Sequence, residues 1–138
     1  MSENAIEVES LTKCFGSFCA VNEISFTVGR GEIFGFLGAN GAGKTTAMKM
    51  LIGLLIPTSG KASVSGFDVY REPEAIKRNI GYMSQKFSLY EDLTVWENIR
   101  FYGGIYGLTD AEIEEKTESL LSRLELETAR DSLISSLP

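Results

Sequence analysis

Gly38-Ala39-Asn40-Gly41-Ala42-Gly43-Lys44-Thr45 satisfies the spacing G-x-x-x-x-G-K-[ST] at every fixed position. The chemistry explains the residue types. A polyphosphate is cradled by backbone N–H groups pointing inward, and glycines are needed where a side chain would block that approach. A helix beginning near Lys44 offers unpaired N–H groups and the positive end of its dipole. Lys44 supplies a full positive charge for the β- and γ-phosphates. Thr45 places a hydroxyl within reach of Mg²⁺, and Thr46 reaches the α-phosphate region. A glycine-rich turn that happens to end in Lys-Thr is the alternative. The flanks argue against it.

Before the loop stands Ile33-Phe34-Gly35-Phe36-Leu37, which has no polar side chain. Such continuity predicts a strand buried on both faces, in the middle of a parallel sheet. After the loop a helix is expected from Lys44 to about Ile52, with Ala47, Met48, Leu51 and Ile52 on its inner side. Strand, glycine loop and helix is the context the motif requires. By itself the loop does not choose between ATPases, GTPases and small-molecule kinases.

Further upstream, residues 5–10 alternate apolar and polar, and so do Val21 to Val28, as half-buried strands do. Gly16, Gly29 and Gly31 suit the turns between. Downstream, Pro57-Thr58-Ser59-Gly60 is a turn cluster leading to a short strand at Lys61–Ser65. Pro73 fits the first position of a short helix running to about Arg78. Ile80-Gly81-Tyr82-Met83-Ser84 reads as a second buried strand, ending at Gln85. From Lys86 the character changes. Thr94-Val95-Trp96-Glu97 and Thr109-Asp110-Ala111-Glu112 are capping boxes. The first opens a helix carrying Val95, Ile99, Tyr102 and Tyr106. The second opens one expected to bury Ile113, Leu120, Leu121 and Leu124.

Composition narrows the partners. The chain of 138 residues is 43% hydrophobic and 23% charged, as soluble globular domains are. Its 13 basic and 19 acidic residues give a net charge of −6, which disfavours nucleic acid as a partner. The longest apolar run, Met50 to Ile56, is far short of the roughly 20 residues that span a bilayer. The polar start Met1-Ser2-Glu3-Asn4 has no export signal, so a cytosolic location is expected. There Cys14 and Cys19 read as small packed residues rather than a disulfide. No histidine occurs.

Several features in order resemble the ATP-binding domains of ABC transporters. Leu11-Thr12-Lys13-Cys14-Phe15-Gly16 is similar to the segment whose aromatic residue stacks on adenine. Phe15 is the matching residue, where the family more often has Tyr. Ile80-Gly81-Tyr82-Met83-Ser84-Gln85 resembles the strand leading into the Q-loop, which makes Gln85 the glutamine sensing Mg²⁺ and the γ-phosphate. Leu89-Tyr90-Glu91-Asp92-Leu93-Thr94-Val95-Trp96-Glu97-Asn98 looks like the opening of the helical subdomain.

The resemblance implies an α/β fold: a P-loop NTPase-type ABC ATPase core, with a partial sheet and an antiparallel β subdomain, plus a helical subdomain. The core with its P-loop would span residues 1–85 and an incomplete helical subdomain residues 86–138. ATP and Mg²⁺ are the implied cofactors. Phe15, Gly38, Asn40, Gly41, Ala42, Gly43, Lys44, Thr45 and Thr46 would hold the nucleotide, and Thr45 and Gln85 the metal. The implied partners are a transmembrane permease and a second ATP-binding domain. The location would be peripheral, at the cytoplasmic face of the cell membrane. The function is powering transport, in the export subgroup. A soluble ABC ATPase outside transport is the alternative; such proteins usually carry long insertions or basic surfaces.

The chain departs from the family pattern where the signature segment, the Walker B carboxylates and the switch histidine are expected. Truncation is the implied cause. Lys44 and Gln85 are then supporting groups of an incomplete catalytic set, and binding without turnover is expected. Strands 32–37 and 80–84 would be left with unpaired edges, and a marginal or self-associating fold would follow.

Overall fold

The computed structural model describes residues 3–38, 43–86 and 88–138, which divide into two compact units, Met1–Tyr82 and Met83–Pro138.

The first unit is built on a long hairpin of β1 (Asn4–Phe15) and β2 (Phe18–Gly29). The turn residues are Gly16 and Ser17, and only Gly16 has positive φ, 61°. A glycine at the first turn position with left-handed φ matches the twist of the strands it joins. Ser10 and Glu23, both with φ near 48°, mark bulges where the β1–β2 register shifts. β3 (Ser59–Val64) pairs antiparallel with β1, and β4 (Phe67–Asp68) with β3 through a tight turn at Ser65–Gly66. The sheet order is β2-β1-β3-β4. The alternation of residues 5–10 and 21–28 therefore extends further than expected at both ends of the hairpin.

α1 (Lys44–Leu51) packs against β2 and β3, and α2 (Pro73–Arg78) against β4. Buried α1 residues are Ala47, Met50 and Leu51, whereas Met48 is exposed, against expectation. Positions 47, 50 and 51 share one helical face, and Met48 lies about 100° around from Ala47. Leu11, Met50 and Ile76 are fully buried and, with Val8, Val21 and Val69, form the centre of the core.

The two predicted central strands do not form. Residues 32–37 and 80–84 carry no strand ladder. Ile33 is 100% and Leu37 95% exposed, and Met83 is 93% exposed. A parallel strand is stable only beside a neighbour that takes up its N–H and C=O groups. Among the described residues no strand lies alongside either segment. Instead, Phe34 and Phe36 pack their rings on Phe26 of β2, with centroids 5.2 and 5.7 Å away.

The cysteines also differ from expectation. Cys14 and Cys19 stand directly opposite each other in the β1–β2 register and are joined as a disulfide. Neither is a packed core residue: Cys14 is half-buried and Cys19 exposed. The turn at Gly16–Ser17 sets this pairing, because a two-residue loop places residues 14 and 19 across from one another.

The second unit holds α3 (Val95–Ile105) and α4 (Asp110–Arg123), packed on each other, followed by 3₁₀ turns at Glu127–Ala129 and Ile134–Ser136. Both capping boxes are formed: Thr94 accepts from the Glu97 N–H, and Thr109 from the Glu112 N–H. Asn98 is buried and makes three bonds, accepting from the Tyr90 N–H (2.8 Å) and donating to the carbonyls of Tyr90 (3.0 Å) and Thr94 (2.9 Å). Arg130 forks onto Glu114 and lies over the Trp96 ring, 4.3 Å from its centroid. That hydrogen bond holds the Glu114 carboxyl below its ordinary value. Of the residues expected inside α4, Ile113 and Leu121 are buried, while Leu120 and Leu124 are exposed. Thr117 takes the missing inner place, its hydroxyl donating to the Ile113 carbonyl at 2.6 Å.

Met50→Ala removes a fully buried side chain and lowers unfolding stability by about 2–5 kcal/mol, measured by urea titration. Asn98→Ala removes a buried side chain and leaves the Tyr90 N–H and the Tyr90 and Thr94 carbonyls without these partners. A loss of about 2–3 kcal/mol is expected in the same measurement.

Candidate functional site

The glycine loop joins the Phe34–Phe36 segment to α1. Gly38 is exposed at its start, and Gly43 caps α1 at its end with φ 82°. Asn40, Gly41 and Ala42, expected to touch the phosphates, lie with Ala39 outside the described residues. Gly43 is required twice over. Its φ is left-handed, and a Cβ there would stand 2.0 Å from the Ala20 carbonyl oxygen and 3.2 Å from Val21 Cγ2. The loop's end is thus seated directly against the backbone of β2.

Lys44 and Gly38 tie the loop's two ends together: the ammonium donates to the Gly38 carbonyl. Among the described residues no carboxylate pairs with it. The first helical bond runs from the Ala47 N–H to the Gly43 carbonyl, 2.8 Å. The N–H groups of Lys44, Thr45 and Thr46 therefore precede the first intrahelical acceptor, and the N-cap Gly43 offers no side chain to cap them. Thr45 is exposed on this first turn and Thr46 half-buried. Amides ahead of the first helical acceptor, a helix N-terminus and a lysine without an acidic partner among the described residues make a fit for a phosphate chain. A hydroxyl beside them suits a hard cation that keeps most of its ligands from phosphates and water. Among the described residues no group of three His, Cys, Asp or Glu could hold a metal without such help.

Phe15 sits at the last position of β1, opposite Phe18, with half its surface exposed. Lys13 Nζ lies 5.3 Å from its ring centroid and donates to the Ile56 carbonyl at 2.8 Å. Thr58 fastens the same strand: its hydroxyl accepts from the Cys14 N–H (2.9 Å), and its N–H donates to the Thr12 carbonyl (2.8 Å). An open aromatic face on an anchored hairpin suits stacking of a planar base. Phe15, Gly38, Gly43, Lys44, Thr45 and Thr46 all belong to the first unit. Gln85 belongs to the second unit, exposed in a bend ahead of α3. The loop after it is bound to that helix by Asn98 and by the Tyr102 hydroxyl, which donates to the Ser88 carbonyl at 2.7 Å.

Sequence reasoning missed Ala20, Val21, Thr58 and the clasp formed by Asn98. Nothing local marks Ala20 or Val21, since their part depends on a contact with position 43. Phe18 carried a readable signal: an aromatic across a two-residue Gly-Ser turn from Phe15 is a cross-strand neighbour.

Comparison with known proteins gives the same placement. The family model described as ABC transporter matches residues 21–138. The "Probable multidrug ABC transporter ATP-binding protein YbhF" of Escherichia coli K12 is 46% identical over 136 residues, covering 99% of this chain and 24% of that protein. The Nod factor export ATP-binding protein I of Rhizobium sp. strain N33 is 39% identical over 99% of this chain and 45% of its own length. A solved ATP-binding subunit of an ABC transporter superposes with TM-score 0.83 at 34% identity, over 97% of this chain and 56% of that one. The chain thus spans about half the length of that subunit and of the Nod factor protein, and about a quarter of YbhF. With the loop, the hairpin and the match to the family model in agreement, the chain belongs to the ABC transporter family.

Proposed function

We propose that this chain is the nucleotide-binding part of a transporter's ATP-driven motor. The arrangement of Lys44 carries the reading: its ammonium spans the glycine loop to the Gly38 carbonyl at the uncapped start of α1. The amides of residues 38–46, with that ammonium, take the triphosphate of ATP, and Phe15 stacks on adenine. Thr45 and Gln85 are the residues we assign to Mg²⁺. When bound, the ion neutralises charge on the β- and γ-phosphates. The functional division is a core of residues 1–85 with a helical subdomain from residue 86.

Full-length domains of this family hydrolyse ATP, and export is the use we assign. Relatives named for multidrug transport, Nod factor export and linearmycin resistance support that direction. The remaining parts of the proposal are a transmembrane permease docked on the helical subdomain, a second ATP-binding domain facing the loop, and a place at the cytoplasmic side of the membrane. No helix among the described residues is long and apolar enough to cross a membrane. Residues 1–138 bind nucleotide without turning it over. Phosphoryl transfer needs groups that orient the attacking water, and the chain has no histidine to serve.

Lys44→Ala keeps the melting transition and weakens ATP–Mg²⁺ binding at least tenfold, about 1.4 kcal/mol, by calorimetric titration. Neither protein releases phosphate steadily. Release that disappears with the lysine would show turnover and refute the binding-only assignment. Gly43→Ala, by contrast, lowers stability by more than about 2 kcal/mol, because the new methyl meets the Ala20 carbonyl in a left-handed backbone. Urea unfolding measures that difference.

A further inference from the structure

The Cys14–Cys19 bridge occupies a particular place in the hairpin. One rung toward the tip, Phe15 faces Phe18. One residue in the other direction, Ala20 presents its carbonyl to Gly43 of the glycine loop. The paired sulfurs therefore lie, along the hairpin, between the rung of the ring assigned to adenine on β1 and the β2 residue that meets the loop assigned to phosphate. Cys19 is exposed and open to a small reagent, while Cys14 is half-buried and its N–H is fixed on Thr58.

The bridge is poorly placed to serve as a staple. It spans a sequence separation of only 5, and a short loop constrains the unfolded chain least. The strands it joins are already paired on both sides of it. At the cytoplasmic face of a membrane, moreover, dithiols are kept reduced, and disulfides there are transient and redox-sensing.

We propose that Cys14 and Cys19 form a thiol–disulfide exchange site whose state sets nucleotide affinity; the second clause rests on the nucleotide reading above. The oxidant is a low-molecular-weight disulfide of the glutathione class. The Cys19 thiolate attacks one sulfur of that disulfide, forming a mixed disulfide and displacing one small thiolate. The Cys14 thiolate then attacks the Cys19 sulfur, closing the bridge and displacing the second. Two protein thiols lose two electrons and two protons, and the small disulfide becomes two thiols. A small dithiol reverses both steps. The bridge fixes the two side chains one rung from Phe15, so what it changes is the local ordering of that ring rather than the stability of the hairpin, and the oxidised chain meets adenine with less ordering left to do.

The test equilibrates the full chain with oxidised or reduced glutathione, quenches in acid, alkylates, and counts adducts by mass. A fluorescent ATP analogue is titrated in parallel. No adducts after oxidation and two after reduction are expected, with the oxidised chain binding roughly three- to tenfold tighter. Cys14→Ser and Cys19→Ser each bind equally in both buffers. Two adducts after oxidised glutathione would overturn the exchange site. A bridge that forms without changing affinity would overturn its control of the nucleotide. Lys44→Ala separates the two readings: if it leaves affinity untouched, the nucleotide assignment fails, while the adduct count still judges the cysteines.

Discussion

A carbonyl oxygen on β2, that of Ala20, stands where any side chain on Gly43 would have to go. This contact seats the end of the glycine loop, and with it the start of α1, against the sheet. From there the helix directs Ala47, Met50 and Leu51 into the core beside Leu11 and Val21. The opposite end of the loop is held through Lys44, which reaches back to Gly38. The loop is therefore held at its ends by two main-chain carbonyls, that of Ala20 through a steric limit and that of Gly38 through the Lys44 ammonium.

The hairpin plays two parts. Its inner face supplies Val8, Leu11 and Val21 to the core, and its tip presents Phe15. Lys13 and Thr58 tie β1 to the segment after α1, so the tip and the helix share an anchor. The second unit follows a different logic, with polar groups as its fasteners. Asn98 replaces the hydrogen bonds that water would otherwise give to the Tyr90 backbone, and Arg130 joins α4 to α3 through Glu114 and Trp96. The buried Asn98 amide specifies one arrangement, because each lost partner leaves a costly orphan, while the half-exposed Arg130–Glu114 pair adds geometric selectivity.

The readings that held were local. Both capping boxes, Pro73 at the head of α2 and the start of α1 at Lys44 follow from residues within a turn of one another. Those that missed required knowledge of a distant neighbour. Ile33–Leu37 and Ile80–Ser84 are apolar enough for central strands, yet an apolar run cannot name its ladder partner. Met48 and Met50 are equally apolar, and the sheet decides which faces it. Leu120 and Leu124 had the right spacing for burial, but Thr117 took the inner place by satisfying its own hydroxyl on the helix backbone.

By itself the sequence determined the glycine-loop residue types and the helix starts, since spacing and capping act over a few residues. The tertiary structure alone decided three things: that Cys14 meets Cys19, that Gly43 rests on Ala20, and that Asn98 clasps Tyr90. The first depends on strand register and the other two on backbone approaches between separate elements. Register and approach arise only when elements pack, because a hydrogen bond or a steric limit has no meaning until both partners are in place.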